Sequence, residues 1–263
     1  IPEQKKIASI LTSVDEVIES AQKQIDKLQD LKKATMNELL SKGIGHTEFK
    51  DSELGQIPKS WEVEFLSHYI DDIVSGWSPT CETVKRLSNR WAVLKTTAVV
   101  WDGYDPEQNK ALPENLQPVQ NATIDKGDVL ITRKGPRERV GVCVYVDRAP
   151  INLMIPDTVF KLKISSEMNP CFASLVLSSR QVQSDWNRKK VGLAEAQVNI
   201  NHQIINKTKI IVPAYDEQSK IVRIYNNLQQ RIACEKRKLG HTQSLKKSLM
   251  QDLLTGKVRV TVN

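Results

Sequence analysis

The sequence predicts an α+β protein: a mixed globular domain flanked by two long helices that pair as an antiparallel coiled coil. Three observations lead there. The stretch LKKATMNELLSKG at 31–43 returns as LKKSLMQDLLTGK at 245–257. Each copy closes an apolar stripe whose steps alternate between four and three residues. Between the copies the pattern changes to short β-branched runs bounded by turn residues.

The first element is the duplication. Sliding the chain by 214 positions aligns 1–44 with 215–258 without a gap, and 13 of the 44 pairs are identical. Ordinary composition gives roughly three by chance. Ile7, Leu11, Val14, Ile18, Ala21, Ile25 and Leu28 form the seam of the first copy. Ile221, Tyr225, Leu228, Ile232, Glu235, Leu239 and Thr242 form that of the second. The spacing is that of a heptad stripe. The apolar phase then shifts to Leu31 and Leu245, as a three-residue step would produce. A stripe this narrow is buried best against a second helix, and a chain that leaves along one helix and returns along the other makes the pair antiparallel. Residues 1–44 and 213–263 are therefore assigned to helical spacers.

Residues 45–212 are assigned to the globular domain with its leading linker. Gly43, Gly45, Gly55 and Pro58 interrupt helical periodicity. Strands are expected in WAVLKTTAVV (91–100), GDVLIT (127–132), VGVCVYV (140–146), TVFKLKI (158–164) and KIIV (209–212). A helix is expected over 170–190, with Pro170 at its start and Lys189 and Lys190 at its end, and a short one over 201–207. RKGPRER at 133–139 reads as an exposed hairpin loop.

Composition excludes several classes. No apolar run approaches the roughly 20 residues that span a bilayer, and the first residues lack the apolar stretch of a signal peptide. Cys81, Cys143, Cys171 and Cys234 are far apart, as are His46, His68, His202 and His241. Without clustered ligands no metal site is expected, and the thiols fit a reducing cytosol. Phosphate-binding glycine loops, nucleophile elbows and zinc-protease signatures are absent, so neither catalytic residues nor a cofactor are expected. Asp71 and Asp72 are adjacent and fit a solvated surface.

Recognition remains. The net charge is +7, a weak pointer to anionic partners. Its distribution is more telling. Residues 213–263 hold ten Lys and Arg against four Asp and Glu, while 55–212 hold 20 against 17. A nucleic-acid surface in the middle of the chain must therefore be local. The basic clusters there are Lys85, Arg86 and Arg90; Arg133, Lys134, Arg137 and Arg139; and Arg188, Lys189 and Lys190. On charge alone, the 133–139 loop fits a DNA contact and a solvated loop equally well.

The order of parts carries a resemblance. IDKGDVLITRKG at 124–135 precedes QVNINHQIINKTKIIVP at 197–213. A long helix then closes on LKKSLMQDLLTGKVRV, while FKDSELGQIPKSWEV and VSGWSPT open the central domain. Together these parts resemble the specificity subunit of type I DNA restriction–modification systems, over essentially the whole chain. The resemblance implies a target recognition domain that reads one half of a bipartite duplex DNA sequence. It implies helices that set the spacing between halves and seat modification subunits, two in number, with restriction subunits completing the complex. Methylation and cleavage would belong to those partners, in the cytoplasm. The family order is recognition domain, helix, recognition domain, helix, so an N-terminal recognition domain is expected ahead of Ile1.

Within that resemblance the expected DNA-binding residues are Lys85, Arg86, Arg90, Arg133, Lys134, Arg137 and Arg139. Gln197 and Asn199 are weaker candidates for base edges, with a cap on the following helix as the plainer role. Trp77 fits a wedge or a half-buried aromatic. The competing reading is an adaptor protein that presents a β-rich module on a coiled coil. It explains the repeat equally well and the basic loops less well.

Overall fold

The computed structural model describes residues 2–81, 85–87, 89–101, 103–194 and 197–260. Two compact units appear: Ile1–Glu38 with Arg223–Asn263, and Leu39–Val222.

The first unit is built on α1 (Pro2–Lys42) and on a second long helix (Tyr215–Leu254), the last helix of the chain and hence α5. They run antiparallel. Asp15 meets Lys246, Lys32 meets Gln229, and Glu3 meets Arg259, so positions rise on one helix as they fall on the other. Ile25 and Leu28 are buried on one helix, Ile232 and Leu239 on the other.

The expected phase shift does not occur. Leu31 and Leu245 are 51% and 56% exposed. The heptad continues unbroken through Lys32, Thr35 and Leu39, and through Lys246, Leu249 and Leu253, which are all at least half-buried. Two lysines thus occupy seam positions. Their aliphatic stems lie along the apolar stripe while each ammonium reaches the facing helix.

In the second unit a hairpin of β1 (Phe49–Ser52) and β2 (Gly55–Pro58) comes first. Strand β3 (Glu62–Phe65) follows, and then β4 (Ile70–Ser75). The run 91–100 divides into β5 (Ala92–Leu94), a 3-10 turn at Thr96–Ala98, and β6 (Val99–Val100), which pairs with β7 (Gly103–Tyr104). Next are β8 (Asn109–Ala111), β9 (Val129–Thr132), β10 (Lys134–Gly135), β11 (Cys143–Tyr145), β12 (Leu153–Met154) and β13 (Val159–Ile164).

The expected helix over 170–190 is two helices, α2 (Pro170–Leu177) and α3 (Arg180–Lys189). Asn169 caps the first by accepting from the N–H groups of Cys171 and Phe172. Ser179 is extended, and its hydroxyl caps the second by accepting from Val182. A capping serine in mid-run therefore breaks what apolar content alone would continue. The chain then forms β14 (Val191–Ala194), β15 (Gln197–Asn199), α4 (His202–Asn206) and β16 (Lys209–Val212), the last paired with β3.

The scaffold of the unit is the antiparallel sheet β11-β9-β13-β4, beside the smaller sheet β12-β5-β8. Leu130, Val144 and Val159 share one buried cluster with Val93, Leu94, Leu153 and Ile155. Inside the scaffold lies a charged pair. Lys161 on β13 is 2% exposed; its ammonium donates to the Thr123 carbonyl at 2.5 Å and lies 3.9 Å from Asp128. Burial pushes the Asp128 carboxyl up, against the Asp125 N–H and the Lys161 charge, which pull it down.

A second polar knot sits where the first residues of α5 meet the segment after α1. Glu217 accepts from the Ile44 N–H at 2.9 Å, from Trp61 Nε1 at 2.9 Å, and pairs with His46 Nε2 at 2.8 Å. Gly43 has φ +67°, and a Cβ there would fall 2.6 Å from the Glu217 carboxylate and 2.7 Å from the Trp61 ring, so only glycine fits.

Candidate nucleic-acid interface

The end of the four-stranded sheet carries the strongest convergence of polar groups. It starts from Phe160 on β13, which faces Ile131 on β9 and Ser75 on β4. Its ring is 1% exposed. Arg133 directly follows β9. Its N–H donates to Thr158 at 2.8 Å, and its carbonyl accepts from Ile200 at 2.9 Å. The backbone is thus held from two sides, and the side chain lies over the sheet end. The guanidinium carbon is 4.4 Å from the centre of the Phe160 ring, a cation–π contact. Nη1 donates to the Ser75 hydroxyl at 3.2 Å. Nε is buried and has no hydrogen-bond partner among the described residues. The His202 ring packs on the same phenyl, with centroids 4.6 Å apart.

Lys134 extends the cluster. Its ammonium is 3.1 Å from Asp157, whose other oxygen accepts from the Ser78 hydroxyl at 2.6 Å. Burial pushes the Asp157 carboxyl up. The hydrogen bonds from Ser78 and Lys134, with the charges of Lys134 and Arg133, outweigh that and hold it below the usual carboxylate value. Lys134 faces Asn199 across the β10–β15 pair, and the Asn199 side-chain oxygen is buried without a partner among the described residues. Gly76 brings the loop after β4 to this place. A Cβ on it would lie 2.3 Å from the carbonyl oxygens of Ile155 and Pro156. Trp77, half-buried, donates its N–H to Ile155 at 3.1 Å.

Of the nine residues expected to bind DNA, the structure brings Arg133, Lys134 and Asn199 together here. Lys85, Arg86 and Arg90 have other partners. Lys85 pairs with Glu107 at 2.5 Å, Arg86 donates to the Ile151 carbonyl at 2.6 Å, and Arg90 pairs with Glu114 at 3.1 Å. Arg137 donates to the Asn187 carbonyl at the end of α3, where Lys190 returns a bond to the Arg137 carbonyl at 2.9 Å. Burial and the Arg137 charge lower the Lys190 pKa. Arg139 lies half-exposed in the 3-10 turn Arg137–Arg139. Gln197 is exposed at the start of β15. Neither Gln197 nor Asn199 caps the following helix; Asn201 does, accepting from Ile204 at 2.9 Å.

The arrangement offers one oriented guanidinium, one ammonium, two hydroxyls and an imidazole above a phenyl ring. Those groups suit anions and base edges. Among the described residues, no group of three or more His, Cys, Asp and Glu can hold a metal ion, and no helix is long and apolar enough to cross a membrane.

Comparison with known proteins matches residues 85–241 to the type I restriction modification DNA specificity domain. The chain belongs to this family. Within it, the chain is 34% identical over 175 residues to the Escherichia coli type I restriction enzyme EcoEI specificity subunit, covering 65% of the chain and 29% of that protein. It is 29% identical to the MjaVIII specificity subunit of Methanocaldococcus jannaschii, covering 99% of the chain and 61% of the relative. The chain thus spans less than two thirds of either relative. Among solved structures, the HsdS subunit of Thermoanaerobacter tengcongensis aligns with TM-score 0.56 at 17% identity, over 97% of this chain and 57% of that one. The S subunit from M. genitalium aligns with TM-score 0.61 at 16% identity, over 99% and 62%. These two likenesses are of fold.

The specificity-domain match includes all nine expected residues but begins after Ser75 and Ser78. Those two, with Asp157, Phe160 and His202, are what reading the sequence missed. Serines and a core phenylalanine carry no charge signal. VSGWSPT did mark the stretch that holds both serines, Ser75 ending β4 and Ser78 in the loop after it, without singling them out.

Proposed function

We propose that residues 45–212 form a target recognition domain that reads one half of a bipartite duplex DNA sequence. Residues 1–44 and 213–263 then form the helical spacer that sets the distance between the halves and seats modification subunits, two in number. Restriction subunits complete the complex, methylation and cleavage belong to the partners, and the assembly works in the cytoplasm. The carrying observation is the Arg133–Lys134 platform in a chain of the DNA specificity family. The seam supports the spacer role, because its regular heptad and cross-helix lysine bonds define one register.

Mobility shift of the target duplex by the full-length protein assembled with modification subunits tests the reading. Replacing Arg133, Lys134, Arg137 and Arg139 together by Ala is expected to abolish the shift at moderate salt. Replacing Lys134 alone is expected to reduce the slope of log K against log salt by about one. Unchanged binding and slope would remove the loop from the interface. Inserting one heptad into both helices at matching positions is expected to change the spacing preferred between half-sites while each half-site stays the same.

A further inference from the structure

We propose that Arg133 reads the base sequence within the recognition domain, and that it recognises the guanine of a G·C pair through its two terminal nitrogens. The inference rests on the DNA-reading role above and separates one cation of the interface from the others.

The other basic residues of the candidate set that have visible partners are bound to oxygen acceptors. Lys85, Arg90 and Lys134 face carboxylates, and Arg86 and Arg137 face backbone carbonyls. Lys85, Arg90 and Lys134 are also at least 46% exposed at the side chain. Such groups follow a phosphate wherever it lies, and they carry charge without orientation. Arg133 differs in three respects. Its side-chain hydrogen bond is to a hydroxyl on the scaffold sheet, that of Ser75 on β4, and not to a carboxylate or a backbone carbonyl. Its guanidinium carbon sits 4.4 Å from the centre of Phe160, a buried ring on β13, one of the two inner strands of the scaffold sheet. Its Nε is sealed in without an acceptor, so the bonding capacity left to the group is on Nη1 and Nη2.

Guanine presents O6 and N7 side by side in the major groove, and two parallel N–H groups of one guanidinium match them. The match requires a fixed plane, because one ångström of play lets the fork slide to a phosphate or to water. Ser75 and Phe160 supply that fixation. They are cross-strand partners on β4 and β13, so the tether and the stacking surface belong to the same sheet. Lysine cannot replace this function. It keeps the charge and a similar reach but has one nitrogen, no plane and no fork. Ser75 is a positioning residue: it acts on the base through Arg133.

The test is selection of bound sequences from a pool of duplexes randomised over both half-sites, using the full-length protein assembled with its modification subunits. The unsubstituted complex is expected to enrich a motif containing a fixed G·C pair. Arg133→Lys is expected to leave the other positions in place and to reduce the preference at one G·C position at least tenfold. Ser75→Ala, at an exposed position, leaves the guanidinium present but untethered and is expected to weaken the same position by a smaller factor. Both variants are checked for an unchanged thermal midpoint. A motif unchanged in Arg133→Lys overturns the assignment while leaving DNA recognition intact. Uniform weakening at all positions also overturns it, because that is how a phosphate contact behaves. If the unsubstituted complex enriches no sequence, the DNA-reading role fails, and this inference with it.

Discussion

Lys246 donates to Asp15 at 2.5 Å across the helix pair, and the bond has a duplicate. Lys32, 214 positions before Lys246, donates at 3.0 Å to Gln229, 214 positions after Asp15. Each lysine occupies a seam position that a leucine would fill more favourably. A polar residue in such a seam costs stability and selects one register. Lys32→Leu with Lys246→Leu is therefore expected to raise the denaturant midpoint, by about 1 kcal/mol in stability. It is also expected to widen the range of half-site spacings that the complex accepts. A lowered midpoint together with unchanged spacing would show that the lysines stabilise the pair without setting register.

Glu217 gives a pH-dependent prediction. Burial pushes its carboxyl up, yet the bonds from Ile44, Trp61 and His46 outweigh that and hold it below its usual 4.5. A carboxyl lowered in the folded state adds stability that is fully present above the unfolded value. That stability is lost as pH falls through the folded value. Glu217→Gln is expected to cost roughly 1–3 kcal/mol at neutral pH, because the amide keeps one acceptor oxygen and turns its NH2 toward a donor that the second oxygen served. The gap between the proteins should then close as pH falls below 4.5. Denaturant titration followed by tryptophan fluorescence at pH 7 and in acid measures both. An equal gap at the two pH values would mean that the carboxylate charge contributes nothing.

Asp157 places a negative charge beside the candidate interface. Its carboxylate lies 3.1 Å from Lys134 and also holds the Ser78 hydroxyl. Asp157→Asn keeps the shape and one acceptor oxygen and removes the charge. Affinity for an arbitrary duplex is expected to rise about threefold to tenfold at low salt, with the gain fading as salt is raised. Fluorescence anisotropy across a salt series decides. Weaker binding at low salt would place Asp157 in direct contact with a base.

Lys161 and Asp128 are expected to behave as one unit. Lys161→Met leaves the Asp128 carboxyl, 4% exposed, without its cation. That is expected to cost roughly 3 kcal/mol, and adding Asp128→Asn should restore most of it. A double-mutant cycle in urea measures the coupling. Additive losses would show that the two groups act independently inside the sheet.

Much of this fold was legible in local pattern, and what was not has physical reasons. The repeat and the heptad gave two long helices, because one stripe and its period are written in consecutive residues. The seam beyond Leu28 was misassigned, because an apolar reading prefers Leu31 to Lys32. The partner that makes Lys32 acceptable is Gln229, far along the chain. The sequence predicts one continuous helix over 170–190 because Ser179 fits a helix interior by composition, and its capping role appears only in its extended backbone. Arg133 was legible as a charge and not as an oriented group. Its orientation depends on β4 and β13 being neighbours, a pairing of residues about 85 positions apart that no local window contains. Lys85, Arg86 and Arg90 carried the same charge signal, and in the structure they meet Glu107, the Ile151 carbonyl and Glu114.

The duplicated lysine bonds have a consequence for how this chain can change. All four residues that make them lie outside Leu39–Val222. The whole intervening segment can be exchanged for another without touching either bond. Substitution of one bonding residue, in contrast, disturbs a pair whose members sit at opposite ends of the chain. Point mutation and recombination therefore act on different properties of the molecule. Cassette exchange replaces the intervening segment and leaves the register alone, while a change of register calls for coordinated substitutions at two distant places.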